Sequence, residues 1–259
     1  MAKQLRREKS MRNYKWWFIF NKVTVAVGIM LCSTAFHASA VVNAEKTRVV
    51  FSSGSIAESL SLVNSEKEPV VVQVWTDNGD PTVNPDKVHT PIVINPPVFK
   101  MKPAEIRNIR LLLVSAGSLP QDRESVFWLN IFQIPPNTEA QHKGDKRVVL
   151  PLKIRMKVFI RPEKVGELKE SDAQKLQFSI RNGANGKKLM IQNPTPWHLT
   201  ISSLKSGNTE LSGVMVEPFS RKLMEIPKDH TITNEIMYEV INDNGTRWSN
   251  NKLYSYGNG

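Results

Sequence analysis

Hydrophobic and polar residues alternate with a period of two along most of the chain from Thr47 onward. Turn-forming residues interrupt this alternation about every ten residues, and β-branched and aromatic residues are frequent between the interruptions. Such a pattern predicts a series of short strands. In the first half these span residues 48–52, 55–64, 70–76, 90–94, 106–114, 126–134 and 148–160. Seven strands in about 120 residues are typical of an immunoglobulin-like β-sandwich.

The second half repeats the pattern after a polar segment, residues 161–167, that we interpret as a linker. No long window has a helical stripe, and the best helical candidate, residues 171–176, is short. Strands are predicted at residues 176–180, 188–192, 198–204, 213–216, 222–226 and 235–241. The sequence therefore predicts an all-β protein with two β-sandwich domains, at residues 41–161 and 162–259.

The N-terminal region differs from the rest of the chain. Residues 1–22 carry seven basic residues and one acidic residue, and an uncharged stretch, residues 23–36, follows them. Ala38 and Ala40 are the small residues that signal peptidase needs before its cut. We expect residues 1–40 to be a secretory signal peptide and the mature chain to begin at Val41.

Other interpretations of this region remain open. A retained membrane anchor is one, although an uncharged core of about 14 residues is shorter than the roughly 20 that a spanning helix needs. Cleavage after Ala44 and a translation start at Met11 are two more.

Removal of the leader changes the charge and the redox chemistry of the chain. The formal charge is +11, and the leader holds seven of the 35 basic residues and one of the 24 acidic residues, which leaves +5. A surface that binds nucleic acid needs a basic cluster, so we expect no nucleic-acid partner. The only cysteine, Cys32, also lies in the leader. An exported chain without thiols must be stabilised by its hydrophobic cores and not by disulfides.

Motifs for catalysis or metal binding are scarce in the mature sequence. Its lack of cysteine excludes thiolate chemistry, and its four histidines lack the spacing of a zinc site. Ser202 and Lys205 match a Ser-x-x-Lys motif, but they end a predicted strand, whereas that chemistry places the serine at the start of a helix. We predict no enzymatic activity, no metal and no cofactor.

Several short motifs follow one another along the mature chain. They include Leu-Pro-Gln-Asp-Arg-Glu-Ser at residues 119–125 and Lys-x-Phe-x-Arg-Pro at residues 157–162. The further segments are residues 47–51, 96–100, 126–130, 134–136, 154–156, 193–197, 218–220 and 241–245. Together they resemble the periplasmic pilus-assembly chaperones, the PapD-like family, over essentially the whole mature chain. The resemblance implies two immunoglobulin-like domains in a boomerang arrangement and a location in the periplasm.

The resemblance also implies partners. A chaperone of this family binds fimbrial subunits, donates a β-strand to their incomplete fold, and delivers them to an outer-membrane usher. The donor strand corresponds to Val148, Leu150, Leu152 and Ile154, which share one aliphatic face of the predicted strand. A strand that only faces the protein's own core is the alternative interpretation. We expect no membrane insertion once the leader is removed.

Charged residues complete the correspondence with the family. Arg48 and Lys157 match a pair of cleft residues that bind the C-terminal carboxylate of the subunit. Glu124, Arg161 and Asp243 match a charge network between the two domains, which the family uses to hold their orientation.

Two other classes of protein fit the predicted fold. The main alternative is a secreted immunoglobulin-like adhesin or fimbrial structural subunit, although a subunit would more often keep a disulfide and an N-terminal donor extension. A hydrolase on a β scaffold is more distant. Within the chaperone family, the modest length of segment 137–147 and the lack of a cysteine pair favour the short-loop branch, whose clients assemble into rod-like fimbriae.

Overall fold

The computed structural model describes residues 42–52, 54–134, 151–183 and 186–256. The predicted signal peptide, residues 1–40, lies outside these ranges. Strands make up nearly all of the regular structure in the described residues, as the alternation predicts. They are β1 (Val42–Ala44), β2 (Arg48–Phe51), β3 (Ala57–Asn64), β4 (Val70–Asp77), β5 (Ile92–Asn95), β6 (Val98–Met101), β7 (Ile106–Leu113), β8 (Ser125–Ile134), β9 (Leu152–Ile160), β10 (Gln177–Gly183), β11 (Gly186–Asn193), β12 (Leu199–Ser206), β13 (Thr209–Val216), β14 (Ser220–Glu225), β15 (Glu235–Ile241), β16 (Arg247–Leu253) and β17 (Ser255–Tyr256).

Helical structure is short. In the described ranges it consists of one α-helix, α1 (Glu170–Ala173), and one 3₁₀ turn, Pro85–Lys87. The α-helix overlaps the predicted helical candidate at residues 171–176. Among the helices of the described ranges, none has the length and the apolar character that crossing a membrane requires.

The first sandwich packs two sheets, with the strand orders β1-β3-β7-β5 and β2-β9-β8-β4-β6. Alternate residues of each strand point into the space between the sheets. Leu60 and Leu62 of β3 and Leu129 and Ile131 of β8 are fully buried there. β2 pairs with β9 in parallel, whereas the other pairings of these two sheets are antiparallel.

The second sandwich has its own hydrophobic core. Its sheets have the orders β14-β11-β10-β17 and β13-β12-β15-β16. Leu189 and Ile191 of β11 and Leu199 and Ile201 of β12 are buried between them. Residues 161–169, which connect β9 to α1, contain no strand or helix, in agreement with the predicted linker. Two separate cores on either side of this connection account for the two-sandwich fold.

Candidate functional site

Two basic side chains lie next to each other on the first sandwich. Arg48 opens β2 and is paired in register with Lys157 of β9. Val49 and Phe51 of β2 and Val158 of β9 are buried in the core. Because neighbouring residues of a strand point to opposite faces, both basic side chains leave the sheet on its outer face. The structure therefore brings together Arg48 and Lys157, which we call the basic pair.

Arg48 is buried, with 8% of its surface exposed. Its Nη1 donates to the carbonyl oxygen of Ile241, at the end of β15, over 3.3 Å. Its guanidinium carbon lies 5.9 Å from the centre of the Phe159 ring, and its Nε has no hydrogen-bond partner among the described residues. Burial lowers the pKa of Arg48, an effect that the nearby carboxylates of Asp243 and Glu124 oppose. The guanidinium thus keeps donor capacity for a further acceptor.

Lys157 is half-buried between the two sandwiches. Its Nζ donates to Oγ1 of Thr200 on β12 over 3.1 Å and lies 5.6 Å from the centre of the Trp128 ring. Burial, followed by the positive charges of Arg48 and Lys222, lowers the pKa of Lys157 to about 8. All three influences disfavour the charged ammonium.

The basic pair has no counter-ion among the residues that the structure describes. In the described part of the chain, no carboxylate oxygen lies within 4.0 Å of either side chain. Desolvated cations without an anion are electrostatically unfavourable, and an incoming anion relieves this cost. A carboxylate, with two acceptor oxygens, can bind a guanidinium and an ammonium at once through charge-assisted hydrogen bonds. The geometry therefore suits the capture of a carboxylate.

A second cluster of charges joins the two sandwiches. Arg161 donates from Nε and Nη2 to Oε2 of Glu124, at 3.1 and 2.7 Å. It also donates from Nη1 and Nη2 to the two carboxylate oxygens of Asp243, at 2.8 and 3.1 Å. The side chains of Arg161 and Glu124 are each 2% exposed. The structure thus brings together the three residues that the sequence analysis assigned to a charge network.

His198, just before β12, completes the hydrogen bonds of Glu124. Its backbone N and its ring Nδ1 each lie 2.9 Å from Oε1 of Glu124. Because a carboxylate oxygen only accepts, we assign the ring proton to Nδ1. The His198 ring lies 5.7 Å from the Phe159 ring, which also contacts Arg48. The charge network and the basic pair are therefore in contact through Phe159.

The turn between β15 and β16 packs against the residue that precedes the basic pair. Gly245 has a φ of 81°, and a Cβ atom there would lie 2.5 Å from Oγ1 of Thr47. Both the backbone conformation and the close approach require glycine. Oδ1 of Asn242 accepts from the backbone N of Asn244 and of Thr246, which closes the turn.

The part of β9 that precedes Lys157 has an open edge. β8 pairs with one side of β9 along the whole length of β9. β2 pairs with the other side of β9 only from Lys157 onward. Residues 152–156 have no strand partner on that side among the described residues, and we call them the open edge. Leu152 is 40% exposed, Ile154 is partly buried against the core, and Met156 is buried. Within the described residues, an unpaired strand edge thus ends at two cations that have no counter-ion.

The other predicted residues have mixed outcomes. Val148 and Leu150 of the predicted donor strand lie outside the described residues. Ser202 and Lys205 lie within β12 and not at the start of a helix, as expected for an accidental Ser-x-x-Lys match. In residues 42–52, 54–134, 151–183 and 186–256, no group of three His, Cys, Asp or Glu side chains could hold a metal ion.

Thr200 and His198 belong to the site, but the sequence analysis did not single them out for it. Each is an ordinary residue of a predicted strand, and its contact is with a residue of the first sandwich. Neither residue lies in a segment that carries the family resemblance, and a position in an alternating strand gives no other signal.

Two family models match successive parts of the chain. Residues 41–166 match the pili and flagellar-assembly chaperone, PapD N-terminal domain. Residues 171–252 match the pili assembly chaperone PapD, C-terminal domain. The two matches cover the first and the second sandwich respectively.

Individual proteins agree with the family models. The probable fimbrial chaperone YadV of Escherichia coli K12 is 31% identical over 241 residues, which is 88% of this chain and 96% of YadV. The crystal structure of the CupB2 chaperone of Pseudomonas aeruginosa is 31% identical with a TM-score of 0.66, over 82% of this chain and 100% of CupB2. A chain of the Salmonella enterica complex between the SafA pilin and the SafB chaperone is 26% identical with a TM-score of 0.69, over 82% of this chain and 95% of that one. This chain therefore belongs to the PapD family of pilus assembly chaperones.

Proposed function

We propose that this protein is a periplasmic chaperone that holds fimbrial subunits by donating a β-strand to their incomplete fold and passes them to an outer-membrane usher. One observation carries this proposal: the open edge of β9 ends at the basic pair, which has no counter-ion among the described residues. Membership of the PapD family supports the chaperone role and does not favour a secreted adhesin or structural subunit. The SafA–SafB complex supports a fimbrial subunit as the client.

The geometry of the open edge sets the direction of the incoming strand. A client whose C-terminal carboxylate is bound by Arg48 and Lys157 must extend back along residues 152–156. Its strand then runs parallel to β9 and lies end to end with β2, which is also parallel to β9. Anchoring the carboxylate fixes the register, because a shift of one residue would turn every client side chain to the other face.

β9 would contribute side chains as well as backbone hydrogen bonds. Leu152 and Ile154 are the described members of its aliphatic row, and Leu152 is 40% exposed in the free protein. Each Å² of apolar surface that such a row removes from water in the groove of the subunit contributes about 25 cal/mol. The same contact would cover strand edges of the subunit that otherwise aggregate.

The charge network would support the basic pair from the second sandwich. Arg161 binds both Glu124 and Asp243, and Asp243 lies two residues after Ile241, whose carbonyl accepts from Arg48. Buried ion pairs add little net stability but lose much when their geometry is broken. We therefore assign to this network the fixed orientation of the two sandwiches around the basic pair.

Purification from the periplasm of the bacterium that makes this protein tests the function. We expect a fimbrial subunit to co-purify with it as a defined complex and to be identified by its mass. The same preparation from cells that lack the fimbrial subunits is the control, and it should yield the free chaperone. Recovery of free chaperone alone from cells that are assembling fimbriae would contradict the proposal.

The affinity for the client should depend on pH. The pKa of Lys157 is about 8 in the free protein, and a bound carboxylate would raise it. The client therefore binds the protonated form, and we expect the affinity to fall by about tenfold between about pH 7 and about pH 9. Surface plasmon resonance with the co-purified subunit, immobilised after release from the complex, measures this dependence.

The stability of the free protein should change in the opposite direction. Because the pKa of Lys157 is lower in the folded than in the unfolded chain, the unfolded chain binds more protons above about pH 8, and the free energy of unfolding rises with pH. A Lys157→Met variant should lose the contribution of this residue to both trends. A client affinity that stays constant over this range would count against a role for Lys157 in carboxylate binding.

A further inference from the structure

A third basic side chain approaches the basic pair from the second sandwich. Lys222 of β14 is in register with Ile191 of β11, whose side chain is buried in the second core. Residues paired across a ladder point to the same face of their sheet. The side chain of Lys222 therefore points toward the other sheet of the second sandwich and reaches β13. Its Nζ donates there to the carbonyl oxygen of Met215 over 3.2 Å.

Met215 connects this lysine to the site. It is paired in register with Thr200 of β12, and Oγ1 of Thr200 accepts from Nζ of Lys157. The ammonium groups of Lys157 and Lys222 are thus bound at directly paired positions of two neighbouring strands. Consistent with this proximity, the charge of Lys222 contributes to the lowered pKa of Lys157.

The three basic residues carry more positive charge than one carboxylate can balance. In the described part of the chain, no carboxylate oxygen lies within 4.0 Å of Lys222, as is true of the basic pair. Glu124 and Asp243, whose charges act on Arg48, are already bound to Arg161. A single terminal carboxylate would therefore leave part of this positive charge without a partner.

We infer that Lys222 is a further binding residue of this site and recognises an acidic side chain in one of the last two residues of the client, beside the terminal carboxylate held by the basic pair. This inference rests on the proposed function. Side chains alternate along a strand, so one of the two final residues of the client points to the outer face, on which Lys157 leaves the sheet and contacts Thr200 of the second sandwich. Clients with Asp or Glu at that position are then preferred over clients with a neutral residue.

Synthetic peptides test this preference. Three peptides of about ten residues share an alternating Val/Thr sequence and a free C-terminal carboxylate, and they end in Gln-Gln, Glu-Gln or Gln-Glu. Fluorescence anisotropy with the mature protein gives their affinities. We expect one of the two Glu peptides to bind about two- to fivefold more tightly than the Gln-Gln peptide, as for a partly screened ion pair. Lys222→Gln should remove this preference, and Lys222→Arg should keep it.

A neighbouring residue provides the matched control. Arg221→Gln removes the same charge from β14, but Arg221 points to the opposite face and should leave the preference intact. Equal affinities of the three peptides for the wild-type protein, or a preference that survives Lys222→Gln, would overturn the inference and leave the basic pair in place.

Failure of the proposed function gives a different result. Arg48→Glu protein would then bind the Gln-Gln peptide as tightly as the wild-type protein does, or the wild-type protein would bind none of the three peptides. Either outcome would remove the carboxylate site itself, and the inference about Lys222 with it.

Discussion

Reversal of the charge at Lys157 is expected to abolish capture of a fimbrial subunit while the chaperone stays folded. Lys157→Glu puts an anion beside the client's carboxylate. A buried ion pair that loses one partner costs several kcal/mol, so we expect the affinity to fall by about 100-fold or more. The new carboxylate would lie next to Arg48, where it relieves the repulsion between two cations, so the free energy of unfolding should not decrease. Arg48→Glu is expected to cause the same loss of capture.

Co-purification of the subunit and urea unfolding of the free protein measure the two quantities. Lys67→Glu, an exposed substitution between β3 and β4, reverses a charge away from the site and should change neither. Normal co-purification with Lys157→Glu protein would show that the carboxylate-binding assignment is wrong. A parallel loss of capture and stability would instead make Lys157 a structural residue.

The alternation of residues predicted most of the strands that carry the core, because burial of every second side chain causes both the pattern and the packing. It failed for several strands that lie at the edge of a sheet. β16 is a polar edge strand, and its pairing depends on the neighbouring β15 and not on its own pattern. β6 follows Pro96 and Pro97, which predicted only a break, yet the strand begins directly after them at the edge of its sheet.

The candidate site was less predictable than the fold. Arg48 and Lys157 are far apart in the sequence, and only the parallel pairing of β2 with β9 makes them neighbours. The residues that hold them are on the second sandwich, as in the bond from Lys157 to Thr200. Contacts between two separate cores leave no periodic signal in the sequence. The basic pair could therefore be assigned only through a family resemblance, and the residues of the second sandwich that contact it only from the structure.

Replacement of Leu152 by Glu is expected to separate client binding from folding. Leu152 is 40% exposed in the free protein, so a charge there stays in contact with water. The free energy of unfolding should then change by less than about 0.5 kcal/mol. In the complex, the same charge would be buried without a partner in the apolar groove of the subunit, and we expect the affinity to fall by about 100-fold. Thermal unfolding and surface plasmon resonance with the same subunit give the two values.

The neighbours of Leu152 make the comparison decisive. Ile154 packs against the chaperone's own core, so Ile154→Glu should lower stability as well as affinity. Lys153 is exposed on the opposite face, where its Nζ donates to the carbonyl oxygen of Pro81 over 2.8 Å. Lys153→Glu changes the charge more than Leu152→Glu does, yet it should weaken binding far less, because its side chain does not enter the groove. Equal losses of client affinity in Leu152→Glu and Lys153→Glu would indicate general charge repulsion. If Leu152→Glu instead lost stability in proportion to its loss of affinity, Leu152 would belong to the chaperone's own core, and strand donation at this position would be wrong.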